Sequence, residues 1–246
     1  MECLSDFVVS SYAPTVNALG TSESDSNSDK NRGNGQPRFL IVSQPNTPKK
    51  NPIPWAADEA KRISRQLGNR GISFSILDDE KGTVDGVSRA MEGFSCIHLA
   101  CHASQEVTSP LNSSIYLHDG RLDLLEIMKK NFTHSDFAFL SACQTSTGNE
   151  NLSEEAVHLA AGMLAAGYRS VVGTMWSILD KHGPDLAEFF YEHLLDATEE
   201  GSEVPKTLDG SKAAWALHHA TQRLREKIVD SPDPLLVWVP YVHIGA

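Results

Sequence analysis

Two strand-like runs in this chain end in residues able to do nucleophilic chemistry. Cys96-Ile97-His98-Leu99-Ala100 leads into Cys101-His102-Ala103-Ser104, and Phe137-Ala138-Phe139-Leu140-Ser141 leads into Ala142-Cys143-Gln144-Thr145-Ser146. A free thiol has a pKa near ~8.5 and attacks as the thiolate, so a nucleophilic cysteine needs a neighbouring base. An imidazole, with an unperturbed pKa near ~6.5, accepts and returns a proton in the cellular range. If the two strands are neighbours in a parallel sheet, His102 and Cys143 meet at its carboxyl edge, where such sheets gather their catalytic groups. Cys143 would then attack a carbonyl carbon, and His102 would protonate the departing amine and activate water against the thioester. Backbone N–H groups around Ala103 and Cys143 are candidate oxyanion donors. Spacing alone leaves a plainer reading open, since a strand-end cysteine is often a small buried hydrophobe and a strand-end histidine a satisfied polar residue.

His98 shares the parity of His102 and is a second candidate base, but it lies inside the strand and is expected to be buried and hydrogen-bonded. Cys101 should face away from His102, because side chains alternate along a strand. Cys96, Cys101, His102 and Cys143 show no metal-ligand spacing, so no metal site is expected. No Walker loop, dinucleotide fingerprint or G-x-S-x-G elbow appears, and no cofactor is expected. After a fifth strand, Trp176 could wall a substrate pocket and Asp180 could attract a cationic side chain; a core Trp and a helix-capping Asp are the alternatives.

These residues need strands to deliver them. Apolar runs of strand length at Phe39–Ser43, Ile72–Leu77, Cys96–Ala100, Phe137–Ser141 and Ser170–Thr174 alternate with helical periods at about 55–68, 83–92, 123–130, 153–166, 184–195 and 210–228. The fourth helix has Ser153 as its cap, an apolar face of Val157, Leu159, Ala160, Met163 and Leu164, and Gly167 as its stop. Continuous hydrophobic strands separated by helices predict an α/β fold, a mostly parallel sheet with helices on both faces. Residues 20–37 carry no aliphatic or aromatic residue and read as a disordered loop within one domain. Before it, Phe7 to Tyr12 has strand composition and Thr15 to Leu19 suggests a short helix, together a segment (7–19) docked on that domain.

With 246 residues, 40% of them hydrophobic, the chain can build a sizeable core, and no apolar stretch reaches the ~20 residues of a membrane span. Its 32 acidic against 21 basic residues give a formal charge of −11, which argues against nucleic acid and membrane surfaces as partners. Four unevenly placed cysteines and an acidic N-terminus without a signal-peptide pattern point to reduced thiols and an intracellular, cytoplasmic protein.

The strings IHLACHASQ, FAFLSACQTSTGNENLSEEAVHLAAGMLAAGYRSVVGTMWSILD, FFYEHLL and VWVPYVHIG resemble, in order and spacing, the CHAT domain family, with VVSSYAPTVNAL and LIVSQPNTP close to its fungal versions. The resemblance implies a caspase-like cysteine endopeptidase fold, with the histidine closing H-x-x-C-H and the cysteine of S-A-C-x-T as the dyad. Those positions are His102 and Cys143. It also implies a specific protein substrate in a signalling, cell-death or defence pathway. A regulatory repeat or sensor module would act in cis or trans, since none precedes the domain here. One position departs: the family usually has glycine after the histidine, and this chain has Ala103. If that site needs a positive φ, a β-carbon is unfavourable there, and a non-catalytic signalling or scaffold module becomes the alternative.

Overall fold

A computed structural model describes residues 4–13, 38–104, 106, 109–141, 156–175, 178, 180–196 and 208–245. The central sheet takes six strands: β1 (Phe39–Ser43), β2 (Phe74–Asp78), β3 (Cys96–Ala100), β7 (Phe137–Leu140), β8 (Ser170–Thr174) and β9 (Tyr241–Gly245), in the order β2-β1-β3-β7-β8-β9. All neighbours are parallel except β8 and β9. β1, β3 and β7 are buried at every position, as their largely apolar sequences require for strands covered on both faces. A second, antiparallel sheet of β4 (Ala103–Ser104), β5 (Ser114–Tyr116) and β6 (Arg121–Asp123) grows directly out of the end of β3.

Alternate side chains of each strand feed two cores. Phe39, Ile41, Cys96, Phe137 and Phe139 face α1 (Trp55–Asn69), α5 (Gly183–Asp196) and α6 (Ala213–Lys227), meeting Ile63, Leu67, Phe190, Tyr191, Leu194 and Ala216. Leu40, Val42, Ile97, Leu99, Ala138 and Leu140 face α2 (Val84–Gly93), α3 (Leu124–Lys129) and α4 (Ala156–Ala165), meeting Val87, Met91, Ile127, Leu159 and Met163. Phe137, Phe139, Phe190 and Tyr191 interlock, with ring centroids 5.0 to 5.9 Å apart in four pairs. Across the outside of this layer Arg62 of α1 bridges Asp58 and reaches Asp185 (2.9 Å) and Glu188 (2.8 Å) of α5.

The five expected strands and six expected helices are present, apart from residues 153–155 of the fourth helix, which lie outside the described residues. Leu159, Ala160 and Met163 of that helix are buried as its period demands. It stops at Gly167 (φ 118°), where an added Cβ would stand 2.1 Å from the Phe132 carbonyl oxygen. β2 starts at Phe74 instead of Ile72, because the end of α1 consumes the intervening residues in a turn through Gly71 (φ 69°) and an Ile72 N–H to Leu67 O bond. The helix expected from 210 begins as a 3-10 turn, Gly210–Lys212, before α6.

Three features differ from the sequence reading. β9 is an antiparallel strand that the apolar-run criterion passed over, and a short helix, α7 (Pro234–Trp238), precedes it. The small sheet is made of strands too short to show a period. Phe7 to Tyr12 is not a strand: Phe7 is 71% exposed and only Tyr12 pairs, in a bridge to Ile244. The segment is instead held by side chains. Ser11 Oγ donates to Gly245 O (3.0 Å) and contacts His243 Nδ1 (2.7 Å), and Gln222 of α6 reaches Ser5 O. Residues 14–19 and the loop 20–37 lie outside the described residues. Among the described residues no helix is long and apolar enough to cross a membrane.

Candidate active site

β3 and β7 are neighbours, paired Cys96 to Phe137 through Leu99 to Leu140. His102 leaves the carboxyl end of β3 and is 2% exposed. It is held by the β1–α1 connection, residues 44–54, which folds over the sheet edge. Gln44 N–H bonds Ala100 O (2.9 Å), Ile53 N–H bonds Pro45 O (2.9 Å), and Ile53 and Ala56 pack on Ala100. Lys50 Nζ lies 3.7 Å from the centre of the Tyr116 ring on β5. From the other side Asp79 accepts hydrogen bonds from the Asn46 backbone and side-chain amides, both 3.1 Å, while itself at φ 36°. Gln44 Nε2 donates to Asp79 O (2.9 Å).

The product of this loop is one contact: Asn51 O accepts from His102 Nε2 at 2.8 Å. A carbonyl can only accept, so the Nε2 position carries a proton and a neutral ring has its lone pair on Nδ1. Nδ1 is buried and has no hydrogen-bond partner among the described residues. Among the described residues the Nδ1 lone pair at the sheet's carboxyl edge is therefore left without a donor.

Ala103 is buried and belongs to β4, opposite Ile115. It is not among the non-glycine residues of positive φ, which are Lys49, Asp79 and Asn131. The β-carbon therefore causes no backbone strain there. Tyr116 N–H bonds His102 O (2.8 Å), which makes Ala103–Ile115 a non-hydrogen-bonded pair and leaves the Ala103 N–H directed away from β5.

Cys143 and Trp176 lie outside the described residues. Asp180 opens a 3-10 turn, Asp180–His182, ahead of α5, and its side chain is likewise not described. Cys3 also lies outside the described residues, and the two described cysteines are inert by environment. Cys96 and Cys101 are fully buried, in the opposite cores, and burial pushes Cys101 up to about 12 and Cys96 higher still. Neither is a thiolate at neutral pH.

His98 is buried and bonded as expected: its ring stacks on Phe139 (4.9 Å) and Nδ1 meets Tyr191 Oη at 3.0 Å. Sequence reasoning missed its other neighbour, Glu59. This carboxylate is 3% exposed, with Oε1 3.1 Å from His98 Nε2 and Oε2 accepting from Ser141 Oγ at 3.0 Å. The signal was available, because Glu59 occupies the apolar stripe Ala56, Ala60, Ile63, Leu67 of α1, where a charge is out of place. Glu59, Ser141 and Gly183 line a small cavity with Ile53, Trp55, Ala56 and Ile178. A larger depression of about 520 Å³, between α1 and α5, is lined by the charged residues around Arg62 and has no part in the His102 site.

The CHAT domain family profile matches residues 4–246. Comparison with curated protein sequences gave no significant match. Among solved structures, the complex of Porphyromonas gingivalis RgpB pro- and mature domains is similar in fold, with a TM-score of 0.53 at 12% identity over 85% of this chain and 47% of that one. The chain thus spans about half the length of that relative, and the likeness is one of architecture. The strand order, the edge at which His102 emerges and the match over nearly every residue agree: the chain belongs to the CHAT domain family and has its caspase-like α/β fold.

Proposed function

We propose that this protein is a caspase-like cysteine endopeptidase in which Cys143 is the nucleophile and His102 the base. The observation that carries the reading is His102 itself, with Nε2 tied to Asn51 O and Nδ1 buried and without a hydrogen-bond partner among the described residues. The pairing of β3 with β7 supports it. Paired residues differ by 41 (137 − 96), the same separation as between His102 and Cys143 (143 − 102).

In the proposed reaction His102 Nδ1 takes the Cys143 thiol proton and the sulfur attacks the peptide carbonyl carbon. The negative charge moves to the carbonyl oxygen, where the Ala103 N–H, directed away from β5, is a candidate donor. The C–N bond breaks as His102 returns the proton to the amine, leaving a thioester. Water then gives a proton to His102 and its oxygen to the acyl carbon, releasing the acid and the thiol. Asn51 O faces the imidazolium formed in each half-reaction and stabilises it. The substrate would be a specific protein, met inside the cell, with a repeat or sensor module governing access in cis or trans.

The test is labelling by peptide acyloxymethyl ketones followed by mass spectrometry. The adduct should fall on Cys143, and Cys143→Ala or His102→Ala should reduce turnover of a cleavable peptide by about a thousandfold or more. Folded protein that gives no adduct at Cys143 with any peptide of the series would remove the peptidase reading and leave a non-catalytic signalling module.

A further inference from the structure

We propose that Lys50 and Tyr116 are positioning residues for His102, a clamp that holds the histidine by its main chain on one side and, through Asn51, by its ring on the other. It rests on the role proposed above for His102. Neither residue touches the reacting atoms; both act through the Asn51 carbonyl.

The contacts close a circuit. Tyr116 N–H donates to His102 O at 2.8 Å, and His102 Nε2 donates to Asn51 O at 2.8 Å. Lys50, the residue before Asn51, returns to Tyr116 with Nζ 3.7 Å from the centre of its ring, well inside the ~6 Å within which an ammonium is drawn to an aromatic face. Thus β5 holds His102 directly with its backbone and indirectly with a side chain.

The loop needs an anchor at this point. Lys49 has a φ of 65°, a left-handed conformation that a residue bearing a β-carbon adopts only at a cost. Asn51 is exposed and precedes Pro52, which confines it to extended backbone. Lys50, between them, is fastened twice. Its N–H bonds Thr47 O (3.1 Å) and closes the turn, while its ammonium ties that turn to β5. The next anchor along the chain is Ile53, bonded to Pro45 O and packed on Ala100. The Asn51 carbonyl is therefore suspended between two fixed points, and release of the first lets it swing away from the His102 ring.

The aromatic side of the clamp is itself held. A hydrogen bond from Ser104, joined by the charge of Lys50, outweighs burial and lowers the Tyr116 phenol below its ordinary value. Ser104 Oγ lies in turn 3.0 Å from Ser114 Oγ on β5. The ring is thus a fixed surface for the ammonium, and Lys50 is half-buried on it.

The experiment follows the Nε2 proton of His102 by NMR in the full chain labelled with nitrogen-15 histidine, the signal being assigned by its loss in His102→Gln. Exchange of that proton with water should quicken about tenfold in Lys50→Met, which keeps an unbranched stem and removes the charge, and by a similar factor in Tyr116→Leu. The double variant should be no worse than either single one, because both remove the same contact. Lys50→Arg, whose guanidinium can lie on the same ring, should restore slow exchange. In peptide turnover Lys50→Met should lower kcat about tenfold with KM within about twofold. Unchanged exchange in Lys50→Met, equal loss in Lys50→Arg, or additive effects of the two substitutions would overturn the proposal. Lys50-dependent exchange without any labelling of Cys143 would sink the peptidase reading and keep the clamp; labelling of Cys143 with exchange indifferent to Lys50 would do the reverse.

Discussion

Acidification from pH 7 to pH 5 should loosen the N-terminal segment through His243. This residue is 5% exposed on β9, between Ser11 and Ser170, and burial lowers its pKa from the ordinary 6.5 to about 4. It is neutral in the folded protein at pH 7, and its hydrogens can be assigned. Ser11 spends its proton on Gly245 O, so His243 Nδ1–H donates to Ser11 Oγ and Nε2 accepts from Ser170 at 2.8 Å. Because the folded pKa lies below the unfolded one, the unfolded chain binds the extra proton first as the pH drops. The stabilisation is present above pH 6.5 and is lost as the pH falls towards 4. Linkage over this interval amounts to about 3 kcal/mol in full, of which about 2 kcal/mol is gone at pH 5. The assay is urea unfolding of wild type and His243→Gln at pH 7 and pH 5, with limited proteolysis between residues 4 and 13. His182, His193 and His218, also lowered chiefly by burial, titrate in both proteins and cancel in the difference. Wild type should lose about 2 kcal/mol more than the variant between the two pH values. Parallel pH dependences, within about 0.5 kcal/mol, would refute the assignment of His243 as the buried neutral group.

Two further substitutions probe the scaffold. Asp79→Gly removes both bonds to Asn46 yet relieves the positive φ, so stability should change by less than about 1 kcal/mol while peptide turnover falls about tenfold from a displaced Asn51 carbonyl; unchanged turnover would show that the loop holds His102 without Asp79. Gly167→Ala combines a φ of 118° with a clash on Phe132 O and should cost about 3 kcal/mol or more in denaturant unfolding, a loss under about 1 kcal/mol being incompatible with that geometry.

The parts of the fold legible in the sequence are those where burial is unbroken. β1, β3 and β7 are read correctly because strands covered on both faces are apolar at nearly every position, Ser43 and His98 excepted, and their alternation with helices points to the parallel sheet. β9 contains His243 and follows Pro240, which interrupt its apolar run, although that histidine is neutral and bonded by two serines. Phe7 to Tyr12 has strand composition but no partner until Tyr12, since composition cannot report whether a ladder is available. His102 could be chosen from strand-end logic, whereas Asn51 could not, because it contributes a backbone carbonyl and any residue carries one. Glu59 was readable as a charge in an apolar stripe, but its neighbours His98 and Ser141 come from distant parts of the chain that only the fold brings to it.

Two imidazoles in this chain have their protons fixed by unlike partners. A carbonyl places the proton of His102 on Nε2, and a serine committed elsewhere places that of His243 on Nδ1. Nitrogen-15 chemical shifts distinguish those tautomers directly, so the sheet carries its own spectroscopic reporters, one at the proposed base and one at the far edge.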